Sequence, residues 1–436
     1  MLSLRCSPGR VCPRAVVDQR LLTPGNDVIS LIHTISILLA LAAMFTYVNH
    51  RFIGLPPSVG LIIMALCLSF SLEAMGAMGF AMEGHAARLL ASVHFNQAVL
   101  HGLLGFLLFA GALHVNLHEL ARQRWTVLLL ATVGVILSTL IIGFLTWWLL
   151  GMVGIHLSLL YCLLFGALIS PTDPIAVLSI LKSINAPVSL EMQIAGESLF
   201  NDGIAVVLFL ILLGLATGGE HVTVGEVVSL FAKEAVGGVM FGLLAGGFAF
   251  WLLRDVDHYP VAIMITLALV TGGYDLAEVL HVSAPIAMVV AGLIIGNHGR
   301  NLAMSDTTRH HLDVFWELVD EVLNAVLFVL IGLEVLVVVY TGAHLIASLI
   351  AIPIVLLARL VSVGLPLGLL RRIQEFSTNA VTILTWGGMR GGVSVALALS
   401  LPAGHDRNFI VPITYAVVAF SIIVQGLTIG KLLKRE

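Results

Sequence analysis

Apolar residues run in long blocks, separated by short polar breaks, from Val28 to Leu433. Thirteen blocks can be read: 29–48, 56–78, 97–117, 126–150, 157–181, 193–216, 225–253, 260–276, 282–297, 315–340, 343–369, 378–400 and 409–432. Most approach the ~20 residues that a helix needs to cross hydrocarbon, and 282–297 is the short one. The period-two alternation of an outer-membrane barrel strand is absent. In lipid every backbone amide must be satisfied within its own segment, so the blocks predict helices. The expected fold is an all-α polytopic membrane protein of about thirteen transmembrane helices. Residues 1–28 form a polar tail carrying Arg5, Arg10, Arg14 and Arg20 without an apolar stretch, unlike a signal peptide. It reads as a disordered tail or as a start assigned too early. Residues 433–436 form a short C-terminus, and no large cytoplasmic regulatory module is expected after Lys431.

Two blocks are interrupted. The fifth contains Ser170-Pro171-Thr172-Asp173-Pro174, and each proline removes a backbone donor and clashes with the preceding turn. The twelfth contains Trp386-Gly387-Gly388-Met389-Arg390-Gly391-Gly392, where four glycines favour unwinding. The offset of seven blocks places the two in opposite orientation. Paired broken helices in inverted repeats point to a transporter site near the midplane, although prolines and glycines are also common in membrane helices generally.

Composition removes the soluble alternatives. The chain of 436 residues is 59% hydrophobic and 11% charged, with mean hydropathy +1.06. A soluble domain carries about 25% charged residues. A net charge of −4 gives no basis for binding nucleic acid. Cys67 and Cys162 lie in apolar blocks and read as inert, and nothing supports a disulfide between Cys6 and Cys12 of the tail.

Lysine and arginine set the orientation. With the N-terminus outside, the inside loops and C-terminus hold twelve of them and the outside loops hold two, Arg88 and Arg407. The expected location is the cell inner membrane, multi-pass, with the C-terminus cytoplasmic.

A charge at the bilayer centre costs roughly 2.5–3.5 kcal/mol on insertion scales, so each one requires a reason. Asp173, Glu197, Asp202, Arg359 and Arg390 all fall inside blocks. Ser198 and Asp202 are four residues apart and share a helix face. Thr172 and Asp173 lie in the first break, where carbonyls are freed. Two carboxylates, two hydroxyls and backbone oxygens suit a hard monovalent cation, and no His/Cys cluster suggests a transition metal. The plainer reading of Asp202 is a helix cap. A carboxylate can hold a proton or a cation but hardly both. Competition near neutral pH requires Asp202 to bind H⁺ more tightly than a solvated aspartate does, which desolvation and the Asp173 charge both favour. If the empty, doubly charged site cannot cross the barrier, exchange is obligatory.

Glu197 falls on a different face from Asp202, and its best partner is Arg359; this pair could also fix Asn201 by hydrogen bonds. Arg390 could neutralise facing helix C-termini or attract an anion. Lys233 and Glu234 are expected to pair within their own turn and snorkel outward. Glu317, Asp320 and Glu321 read either as the rim of a cytoplasmic funnel or as a solvated helix start. His310-His311 reads as a loop, ordinary or pH-sensing.

At these motifs the chain resembles the first family of monovalent cation:proton antiporters, the NhaP and sodium–proton exchanger branch. The resemblance runs from about residue 29 to 432. It is carried by Thr172-Asp173-Pro174, Glu197-Ser198-Leu199-Phe200-Asn201-Asp202, Asn324 through Gly332, Arg359, and Gly387 through Ser394. It implies exchange of Na⁺, or of Li⁺, for H⁺ by a secondary transporter rather than an enzyme, with no cofactor beyond the transported ions. It implies a homodimer in the lipid bilayer and an antiporter fold with two broken crossing helices. The antiporter domain is expected over 29–432, with core spans 126–216 and 343–432 and dimer or scaffold spans 29–117 and 225–340. The resemblance assigns Na⁺ to Asp202, Asp173, Ser198 and Thr172, and a stabilising polar cluster to Glu197, Asn201 and Arg359, to which Arg390 is added. Asn201-Asp202, rather than two aspartates, implies electroneutral one-for-one exchange. One departure is Phe109-Ala110-Gly111-Ala112-Leu113, where some relatives carry a glutamate at the position of Ala110. Alternatives are a K⁺/H⁺ antiporter, a proton-coupled cation channel, and an intramembrane aspartyl protease; the Gly-x-Gly-Asp signature of the last is missing.

Overall fold

A computed structural model of the chain describes residues 24–78, 98–183, 188–218, 224–299, 304–337, 340–371 and 379–433. The arginines of the tail, Cys6, Cys12 and Arg88 lie outside the described residues.

The described residues form helices and no strand. They include α1 (Pro24–Val48), α2 (Pro57–Ala77), α3 (Leu104–His114), α4 (Arg124–Met152), α5 (Leu159–Ile169), α6 (Ile175–Ser183), α7 (Val188–Gly218) and α8 (Val224–Asp255). Then follow α9 (Tyr259–Val279), α10 (Ala284–Ile294), α11 (Asp306–Glu334), α12 (Gly342–Leu370), α13 (Ala380–Trp386), α14 (Gly392–Leu399) and α15 (His405–Leu432). Among the described residues, each of the thirteen apolar blocks falls on one helix or on a pair flanking a break. Among the described residues, eight helices are long and apolar enough to cross a membrane, and three shorter apolar ones are Leu104–His114, Leu159–Ile169 and Ala284–Asn297.

Two helix starts bear on the sequence reading of polar segments. The first helix begins at Pro24, inside the expected tail. α11, which carries the tenth block, begins at Asp306, nine residues before that block, because Ser305 caps it: its hydroxyl accepts the Thr308 N–H at 3.3 Å. Its polar first turns look like loop to a hydropathy argument. His310 and His311 therefore lie on a helix, where the His311 ring packs at a tilt against Tyr259 with ring centroids 4.3 Å apart.

Small residues let the helices approach closely, as expected where lipid supplies no hydrophobic drive between helices. A Cβ at Gly292 of α10 would lie 2.8 Å from the carbonyl oxygen of Phe109 on α3, and one at Gly242 of α8 would lie 2.6 Å from that of Ala287 on α10. One apolar cluster unites α3, α8, α9, α10 and the start of α11 around Trp316. Another unites α4, α6, α7, α12, α13 and α15 around the two breaks. The outward faces are apolar too: Leu349 is 75% exposed and Trp251 63%, surfaces that suit lipid and not water.

Candidate functional site

The two breaks meet. After Ile169 the helix is broken from Ser170 through Pro174, and α6 starts at Ile175, whose N–H donates to Asp173 Oδ1 at 3.0 Å. The Asp173 backbone N–H donates to the carbonyl of Met389, in the second break, at 2.7 Å. Gly391 follows closely. Its backbone is extended, at φ −121°, so torsion does not demand glycine there. Space does: a Cβ would lie 2.5 Å from Asp173 Oδ2.

A broken membrane helix frees carbonyls that must find donors. Arg390, 2% exposed, donates through Nη1 to Ser170 O at 2.7 Å and Pro171 O at 3.0 Å. It thus sits at the negative end of α5. The sequence reading offered those carbonyls to a cation; two of them belong to Arg390 instead. Beside Arg390 is a cavity of about 10 Å³ lined by Arg359, Thr385, Ser421 and Gln425. That is room for roughly one water, not for a polyatomic anion. The Arg390 backbone N–H donates to Ser421 Oγ at 2.9 Å, Ser421 Oγ donates to Gln425 Oε1 at 2.5 Å, and Gln425 Nε2 donates to Trp386 O at 3.0 Å. Ser421 and Gln425 escaped the sequence reading, which weighed uncharged polar residues only beside the carboxylates of the first break and of α7. The signal was there: a glutamine inside an apolar block.

The second broken helix is treated likewise. Arg359 of α12 donates through Nη2 to Glu197 Oε2 at 2.9 Å and through Nη1 to Glu197 Oε1, and both residues are buried. Its Nε and Nη2 also donate to Leu384 O near the C-terminal end of α13, at 3.2 and 3.0 Å. The pair does not hold Asn201, contrary to the sequence reading. Asn201 Nδ2 donates to Thr172 Oγ1 at 2.8 Å, and its Oδ1 accepts the Thr172 N–H at 3.5 Å. The Ser198 hydroxyl donates to Thr172 O. The helix α7 thus pins the first break through a serine and an asparagine one turn of helix apart.

Asp202 lies one residue on, half-buried, within electrostatic range of Asp173. Among the described residues neither carboxylate has an ion-pair partner: Arg359 is held by Glu197, and Arg390 by carbonyls. No three His, Cys, Asp or Glu side chains converge there, so the acidic cage of a divalent-cation site is not formed among the described residues. Thr172, Asp173, Ser198 and Asp202 are gathered where the two breaks cross α7.

Other candidates lie apart. Ala110 is 1% exposed, within the apolar cluster around Trp316. Glu234 accepts the Ser283 N–H through its backbone carbonyl at 3.1 Å. On α11, Glu317 and Glu321 are exposed and Asp320 is half-buried.

Comparison with known proteins agrees with this geometry. A family model described as "Sodium/hydrogen exchanger, transmembrane" matches residues 37–435. The Na(+)/H(+) antiporter NhaP of Pseudomonas aeruginosa is 50% identical over 402 residues, covering 91% of this chain and 95% of the relative. The chain belongs to the sodium/hydrogen exchanger family. Another relative, the Na(+)/H(+) antiporter NhaH of Halobacillus dabanensis, is 38% identical over 410 residues, covering 92% of this chain and 97% of its own. Among solved structures, the sodium proton antiporter MjNhaP1 of Methanocaldococcus jannaschii at pH 8 superposes with a TM-score of 0.74 at 20% identity, over 94% of this chain and 99% of that one. The exchanger fold therefore extends across nearly the whole chain, with both broken helices inside it. Exchanger-family proteins are secondary transporters, so the site is read as an ion site and not as an enzyme's.

Proposed function

We propose that this protein exchanges Na⁺, with Li⁺ as the nearest substitute, for H⁺, one for one and without net charge movement, by competition of the two ions for Asp202. The observation that carries the reading is the pair of carboxylates at the helix crossing with no arginine, among the described residues, to balance them. In low dielectric two such charges are costly to leave bare, and a bound cation or proton offsets the cost. Asp202, Asp173, Ser198 and Thr172 supply oxygen ligands, while Glu197, Asn201, Arg359 and Arg390 hold those ligands and the broken helix ends in place. Asn201 adds no second titrating group beside Asp202, which favours one proton per cation.

In this reading the core spans 126–216 and 343–432 move as a body against the scaffold spans 29–117 and 225–340, so that the site faces each side in turn. Two copies associate through the scaffold spans in the inner membrane, with the N-terminus outside and the C-terminus in the cytoplasm. The bias of lysine and arginine toward one set of loops supports this orientation.

The test uses everted vesicles holding a preformed pH gradient, reported by a quenched dye. Addition of Na⁺ or Li⁺ restores fluorescence, K⁺ does so weakly, and choline does not. A response to choline, or to none of the salts, removes the exchange reading; a response to K⁺ above Na⁺ replaces the cation. With the potential clamped by valinomycin and K⁺, the rate is unchanged if exchange is electroneutral.

A further inference from the structure

On α11, Asp320, Asn324 and Leu327 fall at i, i+4 and i+7, on one face of the helix. That face looks at the crossing. A Cβ at Gly392, the first residue of α14, would lie 2.6 Å from Leu327 Cδ1, and Asp320 is within electrostatic range of Asp173. The side chain of Asn324 hydrogen bonds to the Asp320 carboxylate, so its amide N–H₂ serves as donor. Its carbonyl oxygen is buried, in a residue only 5% exposed, and among the described residues it accepts no hydrogen bond. A buried acceptor without a donor is costly, and most such groups are satisfied. Exposure along the helix falls from Glu317 to Asp320 to Asn324. From its exposed end toward the crossing, this face therefore presents carboxylate oxygens first and an amide oxygen last. Every acceptor on it suits an alkali cation shedding part of its hydration shell, and no arginine or lysine of α11 beyond Arg309 lies on this helix to compete.

We infer that Asp320 and Asn324 form a second, transient cation station on α11, which takes a partly hydrated alkali cation from the cytoplasmic side and passes it to Asp173 and Asp202. The inference rests on the exchange reading above and assigns to it residues outside the crossing. Asp320 supplies charge, and the free Asn324 oxygen supplies the ligand that a bare electrostatic funnel lacks.

The experiment measures apparent KM for Na⁺ in everted vesicles, where the cytoplasmic face meets the added salt, at fixed pH and at high choline. Asp320→Asn raises KM about tenfold while the maximal rate holds, the pattern of lost binding rather than lost chemistry. Asp320→Glu restores KM. Asn324→Ala, which changes no charge, also raises KM, and choline does not abolish its effect as it would abolish that of a screened surface charge. Asn324→Ala also keeps the test open should Asp320→Asn fail to assemble. Wild-type KM in both Asp320→Asn and Asn324→Ala overturns the station, as does a fall in maximal rate at constant KM. Absence of Na⁺-driven proton flux in the wild type would instead remove the exchange reading.

Discussion

Arg359 grips both carboxylate oxygens of Glu197 and also caps the carbonyl of Leu384, so one guanidinium ties α7 and α12 to the broken end of α13. Removing one partner of a buried pair strands the other charge, at about 3–5 kcal/mol. Arg359→Ala is expected to lower folded yield and melting temperature sharply. The double variant Glu197→Leu/Arg359→Leu loses less, because no lone charge remains, although the Leu384 carbonyl still lacks its donor. Thermal melts of the purified protein in detergent check this order. Normal yield of Arg359→Ala with altered ion preference would instead place Arg359 among the ion ligands.

Asp202 makes no ion pair among the described residues, so neutralising it breaks none. Asp202→Asn is therefore expected to assemble with wild-type yield and to lose Na⁺-driven proton flux in everted vesicles. The loss is at least a hundredfold, or about 2.7 kcal/mol or more of barrier. Flux within tenfold of the wild type would refute the role given to this carboxylate.

The parts of the site that sequence made legible are those that chemistry advertises. Prolines 171 and 174 and the glycines around Arg390 declared the two breaks, and buried Glu197 and Arg359 needed each other as the charges least tolerable in lipid. The partner of Asn201 was not legible, because a neutral amide can satisfy itself with almost any hydroxyl or carbonyl, and Thr172 is 29 residues away. Arg390 serving the opposite break, and Gln425 reaching Trp386, depend on how two helices cross, which no local pattern encodes. The start of α11 was hidden because its first turns are polar, and hydropathy reads polarity as loop. That error also placed His310 and His311 off the helix.

Gly391 packs against the Asp173 side chain, and its backbone torsions would tolerate alanine. Gly391→Ala therefore tests space alone. The added methyl must displace either the carboxylate or the second break, since packed interiors have little room to give. The expected result is an assembled protein whose apparent KM for Na⁺ rises by about tenfold or more, roughly 1.4 kcal/mol of lost binding. Unchanged transport would mean that Asp173 sits elsewhere during the cycle.

Asp257, in the loop between α8 and α9, anchors the start of α11. It accepts from Ser305 Oγ at 2.8 Å and Thr308 Oγ1 at 2.7 Å, and from the Ser305 N–H at 3.3 Å. These bonds favour the ionised carboxylate and hold it below its ordinary pKa of 3.8, with the Thr308 hydroxyl the largest cause. A depressed carboxylate stabilises the fold above its unfolded pKa and loses that contribution as pH falls through the folded one. The wild type should therefore melt slightly above Asp257→Asn at every pH from neutral down to the ordinary carboxylate range. The gap should close only in stronger acid, as Asp257 takes up its proton. Melting curves of the two proteins across that range, read as a difference, decide the matter: a gap that widens on acidification would reverse the sign and remove the anchor from this account.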